Sequence, residues 1–244
     1  MNNSKLHLIC FKIFVKFFLL DYSIMLSDNV LALIASCAIK QGYNNNNLTW
    51  NGNGYSISTL YKHGHCIVIQ IIKGNNKTFM FCQEGSQTTS DYIVDLQAMS
   101  NNKKKKVKGK NGKVAKTMWD EYTKYRNLIE EFYNDFKNDG DIVFAGHSLG
   151  GAVVGIAAGM LNVKAILLAP VPFMAHSNWS KNYSVLPKTF VNPSDPCCSD
   201  RTGISWNAAN HIGKTWIYNG NGYDSHKIAS FISYFSNKCG FSIL

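Results

Sequence analysis

Residues 146–150 read Gly-His-Ser-Leu-Gly and lie between two apolar runs, 142–145 and 151–161. The first run is short and indicates a buried strand, whereas the second has the length of a helix. A strand that turns this tightly into a helix leaves no room for side chains at 146 and 150, so glycine is required there. Ser148 at the tip would adopt a strained backbone that raises its hydroxyl above the sheet edge. We therefore interpret Ser148 as a nucleophile; the alternative is a glycine-rich turn without chemistry.

The rest of the chain predicts strands that alternate with helices. Expected strands are 66–72, 78–82, 142–145, 165–169, 189–191 and 215–218, and expected helices are 28–41 (capped by Ser27 and stopped by Gly42), 118–136, 151–161 and 225–235. Residues 43–55 are rich in Asn and Gly and predict a loop, 73–76 a turn, and 90–99 a short amphipathic segment. This alternation indicates an α/β fold with a mostly parallel central sheet and helices on both faces.

A serine needs a histidine base and a carboxylate to become a nucleophile. In the α/β-hydrolase fold these follow the serine in the order acid, then histidine, at the carboxyl edge of the sheet. His226 follows the strand predicted at 215–218, so it can fold back over Ser148. His211 precedes that strand and would lie at the opposite edge, and His176 precedes every suitable acid. His226 is therefore the expected base.

Three aspartates could orient His226. Asp195 follows the strand at 189–191 and lies between Pro193 and Pro196, which stiffen its loop. Asp200 is farther from the strand end, and Asp224 is too near His226 in sequence to reach its ring easily. We expect Asp195 to be the acid.

These residues give the chain a resemblance to the class 3 lipases, the family of fungal triacylglycerol lipases and their plant relatives. The segment 146–152, Gly-His-Ser-Leu-Gly-Gly-Ala, matches the family's elbow, and the Asn-x-x-Asp-Pro stretch around Asp195 and the late His226 match as well. Residues 81–86 and 91–96 resemble the family's F-R-G-[ST] and D-W-x-x-D-L motifs. The resemblance spans roughly residues 28–235.

The resemblance implies an α/β-hydrolase domain over 25–244 that hydrolyses lipid carboxylic esters through an acyl-enzyme. It implies catalytic Ser148, Asp195 and His226, with backbone N–H groups of Ser86 and Leu149 forming the oxyanion hole. Residues 88–93 would be a helical lid. This chemistry requires no metal or cofactor.

The sequence departs from the family pattern at two places. Glu84 stands where the family usually has Arg, and 114–117 replace the usual V-H-x-G. Two alternatives therefore stay open: a phospholipase A1 or lysophospholipase with the same catalytic residues, and a lipid-binding homologue without catalysis.

Charge is concentrated in one stretch. Eight lysines and no acid in residues 100–116 account for most of the net charge of +10, so the protein as a whole is not basic. A solvated loop is one interpretation, and contact of the 103–116 region with an anionic membrane or lipid-droplet surface is the other. The stretch lacks interleaved aromatics, which argues against nucleic acid as a partner.

Residues 1–24 form an apolar and basic extension that is too short and too interrupted by lysine for a membrane span. No cleavage site follows promptly, and translation could begin at Met25. Seven scattered cysteines predict neither a disulfide framework nor a zinc site, which leaves the compartment undecided.

Overall fold

The computed structural model describes residues 26–86, 104–174, 177–195, 213–218 and 220–244. The N-terminal extension, the segment 90–99, the lid expected at 88–93, His176, Asp200 and His211 lie outside these residues. Within the described part of the chain, no helix is both long and apolar enough to cross a membrane.

An eight-stranded sheet forms the centre of the fold, in the order β1-β2-β3-β4-β7-β8-β9-β10. Its strands are β1 Thr49–Gly52, β2 Tyr55–His63, β3 Cys66–Lys73, β4 Asn76–Gln83, β7 Asp141–His147, β8 Lys164–Leu168, β9 Lys188–Val191 and β10 Lys214–Trp216. The first four strands pair antiparallel, and every pairing from β4 to β10 is parallel. Strands β5 Lys104–Lys106 and β6 Lys113–Ala115 make a separate hairpin.

In the described ranges, four α-helices cover the sheet: α1 Asp28–Tyr43, α2 Lys116–Phe136, α3 Leu149–Leu161 and α4 Ile228–Cys239. Helix α1 packs on the sheet together with α4, whereas α2 and α3 pack on each other and on the sheet. Two 3₁₀ helices, Ser177–Asn182 and Gly222–His226, lie in the later connections. A mostly parallel sheet flanked by helices confirms the predicted α/β-hydrolase architecture. Helices are needed on both sides because the parallel strands are buried on both faces.

Helix α1 is buried around its whole circumference, since all residues from 30 to 39 lie in the interior. Its start is as predicted: the Ser27 hydroxyl accepts a hydrogen bond from the Val30 N–H at 3.3 Å. The expected stop at Gly42 is wrong, because the helix continues to Tyr43. Gly42 serves close packing instead, as a Cβ there would lie 2.1 Å from Glu84 Oε1.

The loop expected at 43–55 is also wrong. It contains β1, and Asn53 and Gly54 form a two-residue turn into β2 with φ of 50° and 77°. Positive φ at both central residues matches the twist of a hairpin, and Asn-Gly is the dipeptide that best adopts it. The same composition that suggested a loop is therefore a hairpin signal.

Two further expectations need correction. The lysine-rich stretch is a β-hairpin over part of its length, and Lys110 Nζ donates to the carbonyls of Gly159 and Met160 at 3.1 and 2.9 Å. Gly159 and Met160 lie in the last turn of α3, and Lys110 provides hydrogen bonds to carbonyls that have no partner within that helix. The helix expected at 225–235 is split, because a 3₁₀ turn ends at His226 and α4 begins at Ile228.

Candidate active site

The turn between β7 and α3 has the tight geometry that its glycines predicted. Ser148 has φ 56° and ψ −124°, a strained conformation for a residue with a side chain. A Cβ on Gly146 would lie 2.5 Å from the Gly150 carbonyl oxygen, and one on Gly150 would lie 2.3 Å from that of Glu84. Both glycines are therefore required by backbone that packs against them.

Ser148 lies beneath the end of β4. Its side chain is 2% exposed, and its hydroxyl oxygen makes no hydrogen bond to the described residues. Its N–H donates to the Leu168 carbonyl at 3.0 Å, which anchors the turn to β8. A Cβ on Gly85 would lie 2.7 Å from the Cβ of Ser148, so only glycine allows β4 to end this close to the serine.

The structure brings the expected acid and base into contact. His226 Nδ1 lies 2.8 Å from Asp195 Oδ2, and the Asp195 side chain is fully buried. Since a carboxylate only accepts, Nδ1 carries the proton in this contact, and Nε2 is the acceptor nitrogen of the ring. Asp224, the rival acid nearby, is exposed and pairs with Lys227 at 2.7 Å instead.

Asn192 ties the acid's loop to the base's loop. Its side-chain oxygen accepts from the Ser194 N–H at 2.8 Å, and its Nδ2 donates to the Gly220 carbonyl at 3.0 Å. The Asp195 N–H donates to the Asn192 carbonyl at 3.0 Å, closing a compact turn after β9. The turn holds the carboxylate at the carboxyl edge of the sheet.

Ser86 and Leu149, the expected oxyanion-hole residues, line one cavity of about 330 Å³. Ser86 follows the end of β4, and Leu149 is the first residue of α3. The cavity extends past them toward a polar wall that includes Gln83, Glu121 and Tyr125.

Glu84 occupies the position where the sequence departs from the family pattern. It is 4% exposed, and one carboxyl oxygen lies 3.7 Å from His65 Nδ1. The other lies over Gly42 at the end of α1. Burial raises the pKa of this carboxyl group, and His65 opposes the shift. Glu84 is thus a packed residue between α1 and the β2–β3 turn, although it also borders the cavity.

Two side chains in the site were missed by the sequence analysis. The Tyr43 hydroxyl contacts the backbone N–H of Gly85 at 2.8 Å and His147 Nδ1 at 3.2 Å. His147 Nε2 lies 2.7 Å from the carbonyl oxygen of His226. The position of His147 directly before Ser148 could have identified it as a residue of the site. Nothing in the sequence marked Tyr43, which is 104 positions away.

Part of the chain that carries this site is similar to a known protein family. The family model for class 3 lipases matches residues 80–174, a span that begins near the end of β4 and includes the turn at Ser148 and α3. No curated protein sequence matches the chain significantly.

Solved lipase structures share the fold at low sequence identity. A Rhizomucor miehei lipase in complex with its propeptide superposes with a TM-score of 0.57 at 18% identity, covering 85% of this chain and 78% of that one. A Penicillium expansum triacylglycerol lipase gives 0.54 at 16% identity, covering 79% of each chain. A triacylglycerol lipase described as having a serine protease triad at its catalytic centre gives 0.57 at 18%, covering 80% of this chain and 83% of that one.

Proposed function

We propose that this chain cleaves lipid carboxylic esters through Ser148, His226 and Asp195, because residues 80–174 match the family model for class 3 lipases and the solved structures with the same fold include triacylglycerol lipases. The observation that carries the proposal is the hydrogen bond between His226 Nδ1 and the buried Asp195 carboxylate. The backbone of the same histidine is hydrogen-bonded to His147, the residue that precedes Ser148. The base and the strained serine therefore belong to one local structure.

The proposed reaction is two-step acyl transfer. His226 Nε2 accepts the proton of the Ser148 hydroxyl as its oxygen attacks the ester carbonyl, and the resulting imidazolium returns the proton to the leaving alcohol. Water then attacks the acyl-enzyme in the same way and releases the carboxylic acid. Asp195 holds the imidazole with Nδ1–H toward the carboxylate and stabilises its charged form.

The oxyanion of each tetrahedral intermediate is stabilised by the backbone N–H groups of Ser86 and Leu149. Their position on one cavity supports this assignment. The Leu149 N–H also lies in the first turn of α3, where the helix dipole favours negative charge. Loss of one such donor typically lowers kcat by about 10²- to 10³-fold.

Neither alternative activity gains support from the site. The case for a non-catalytic homologue rested on Glu84 and on residues 114–117. The Glu84 carboxyl oxygens lie over Gly42 and near His65, and Val114 and Ala115 belong to the hairpin strand β6. A charge reversal at position 84 leaves the hydrogen bond between His226 and Asp195 intact. A phospholipase activity would use the same residues, and parallel assays on triolein and phosphatidylcholine distinguish the two substrates.

A fluorophosphonate probe tests the proposal directly. We expect covalent labelling of the wild-type protein and none of Ser148→Ala. Ser236→Ala is the matched control, because its hydroxyl is also buried with no hydrogen-bond partner in the described part of the chain but lies on α4. Labelling that survives Ser148→Ala, or a wild type that is never labelled, would show that the nucleophile is assigned wrongly.

We also propose that the lysine-rich hairpin contacts anionic lipid surfaces. Among the described residues of the 103–116 region, five lysines are exposed: Lys105, Lys106, Lys108 and Lys113 in the hairpin, and Lys116 at the start of α2. A lysine near such a surface contributes about 1 kcal/mol, so replacing three should weaken binding by tenfold or more.

Vesicle sedimentation tests the surface. Lys105, Lys106 and Lys108 are changed to Gln together, and Lys77, Lys137 and Lys238, which lie elsewhere, are changed in the control. Binding to phosphatidylserine-containing vesicles should fall in the first variant only. Equal loss in both variants would indicate net charge rather than the hairpin.

A further inference from the structure

Three hydrogen bonds in series join the end of β4 to the backbone of the proposed catalytic base. They run from the Gly85 N–H to the Tyr43 hydroxyl (2.8 Å), from Tyr43 to His147 Nδ1 (3.2 Å) and from His147 Nε2 to the His226 carbonyl (2.7 Å). One end adjoins Ser86 and the other is the base itself. The two linking side chains come from α1 and from the turn that carries Ser148.

With a neutral His147, only one placement of protons satisfies all three bonds. A carbonyl oxygen only accepts, so His147 Nε2 carries a proton. In a neutral imidazole Nδ1 is then the acceptor, and the Tyr43 O–H donates to it. The Tyr43 oxygen in turn accepts from the Gly85 N–H. For a neutral His147, the direction of every bond follows from the N–H donor at one end and the carbonyl acceptor at the other.

Burial maintains this arrangement. His147 is 6% exposed, and desolvation lowers its pKa to about 3, with the nearby His226 adding to the effect. Burial also raises the pKa of the Tyr43 hydroxyl, so it keeps its proton. His147 is thus neutral near pH 7. A positive charge there would oppose the imidazolium of His226, since the two ring centroids are 4.9 Å apart.

We propose that Tyr43 and His147 are positioning residues that hold the base and the oxyanion segment in one fixed geometry. The proposal rests on the catalytic roles proposed above for His226 and Ser86. Asp195 restrains the His226 ring through Nδ1, and His147 restrains its backbone through the carbonyl oxygen. The first restraint limits rotation of the imidazole, and the second limits displacement of the residue that carries it. Tyr43 donates to Nδ1 of the His147 tautomer that the His226 carbonyl selects, and it accepts from the backbone N–H beside Ser86 at the same time.

Tyr43→Phe removes one hydroxyl and breaks two of the three bonds. Misplacing a reacting group by about 1 Å costs up to about 100-fold in rate, so we expect kcat to fall about tenfold with KM changed less than twofold. Tyr122→Phe is the matched control, because its hydroxyl is buried on α2 and makes no hydrogen bond to any residue that the structure describes. It should retain wild-type kcat. Equal kcat in the two variants would overturn the proposal.

Replacements of His147 separate hydrogen bonding from packing. His147→Gln keeps both a donor and an acceptor, whereas His147→Leu keeps neither. We expect the leucine variant to lose at least ten times more kcat than the glutamine variant, with melting temperatures recorded for both. Equal losses in the two variants would mean that His147 contributes shape alone.

Nitrogen NMR of the histidines tests the network without any activity. His147 should show the Nε2–H tautomer in wild type and should not titrate between pH 5 and 9. An Nδ1–H tautomer or a protonated ring would overturn the inference. If the wild type fails to react with a fluorophosphonate, the proposed function is wrong, and the NMR measurement still decides whether His147 has the Nε2–H tautomer. If it reacts and Tyr43→Phe turns over normally, the inference fails alone.

Discussion

The Nδ1 atom of His226 lies 2.8 Å from Oδ2 of Asp195, a carboxylate with no exposure to solvent. The two residues are 31 positions apart and follow different strands of the sheet. Burying a carboxylate costs free energy unless its oxygens are hydrogen-bonded. Burial of Asp195 therefore favours the conformation in which it accepts the hydrogen bond from His226. Substitution of Asp195 is therefore a direct test of the site.

Asp195→Asn should lower kcat by roughly 10³- to 10⁴-fold, because an amide can donate to Nδ1 and thereby select the wrong imidazole tautomer. Asp224→Asn is the control, since its exposed carboxylate contacts Lys227. We expect it to stay within twofold of wild type in a soluble-ester assay. A larger loss in Asp224→Asn than in Asp195→Asn would reverse the choice of acid.

Gly85→Ala should abolish measurable hydrolysis while leaving the protein folded. Its Cβ would lie 2.7 Å from Ser148 Cβ and 2.9 Å from the His147 carbonyl, so β4 or the serine must shift. Gly54→Ala provides the comparison, because φ of +77° in an open turn strains the backbone far from the site. It should cost about 1 kcal/mol of stability with kcat unchanged. Full activity of Gly85→Ala in the soluble-ester assay would contradict the close approach.

His147 should make the protein less stable as the pH falls. Its pKa is lowered in the folded state to about 3, whereas the unfolded chain binds the proton near the ordinary value of 6.5. Its contribution to the free energy of unfolding is therefore complete above pH 6.5 and is lost toward pH 3, by up to about 1.4 kcal/mol per pH unit.

Urea unfolding of His147→Gln and the wild type between pH 4 and 8 measures that contribution. The difference between the two proteins should change steeply below pH 6.5. The exposed His63, replaced by Gln, should leave the pH dependence of the wild type unchanged. Parallel curves for all three proteins would show that His147 titrates normally in the folded state.

Glu84 should act in the opposite sense. Burial raises the pKa of its carboxyl group above 4.5 in the folded state, so ionisation costs folding stability as the pH rises through that window. We expect Glu84→Gln to gain stability relative to the wild type between pH 4 and 8, with activity retained. Glu131→Gln, at an exposed position, should show no such trend. A fall in relative stability with rising pH would mean that the His65 contact outweighs desolvation.

Local patterns predicted most of the elements that surround the site. The apolar run at 66–72 and the turn after it gave β3 and its connection to β4, because burial on both faces requires near-continuous hydrophobicity. The amphipathic period of 118–136 predicted α2, which begins two residues earlier, at Lys116. The Asn- and Gly-rich stretch before Tyr55 was misread, since the same residues favour open loops and tight hairpins.

The orientation of the Glu84 side chain could not be predicted from the sequence. Its identity as a departure from the family pattern was visible, but its orientation depends on the glycine at the end of α1 and on His65 across the β2–β3 turn. The choice of Asp195 over Asp224 had a topological reason that the sequence could supply, whereas the partners that hold its loop through Asn192 could not be anticipated.

By itself the sequence determined the strand, the tight turn and the helix around Ser148, because strained backbone and close packing accept only glycine at 146 and 150. Only the tertiary structure decided that Tyr43 meets His147 and that His147 meets the backbone of His226. Spacing along the chain encodes local backbone geometry. A contact between a helix end, a turn and a late loop depends on how the sheet and α1 pack together, which no local pattern records.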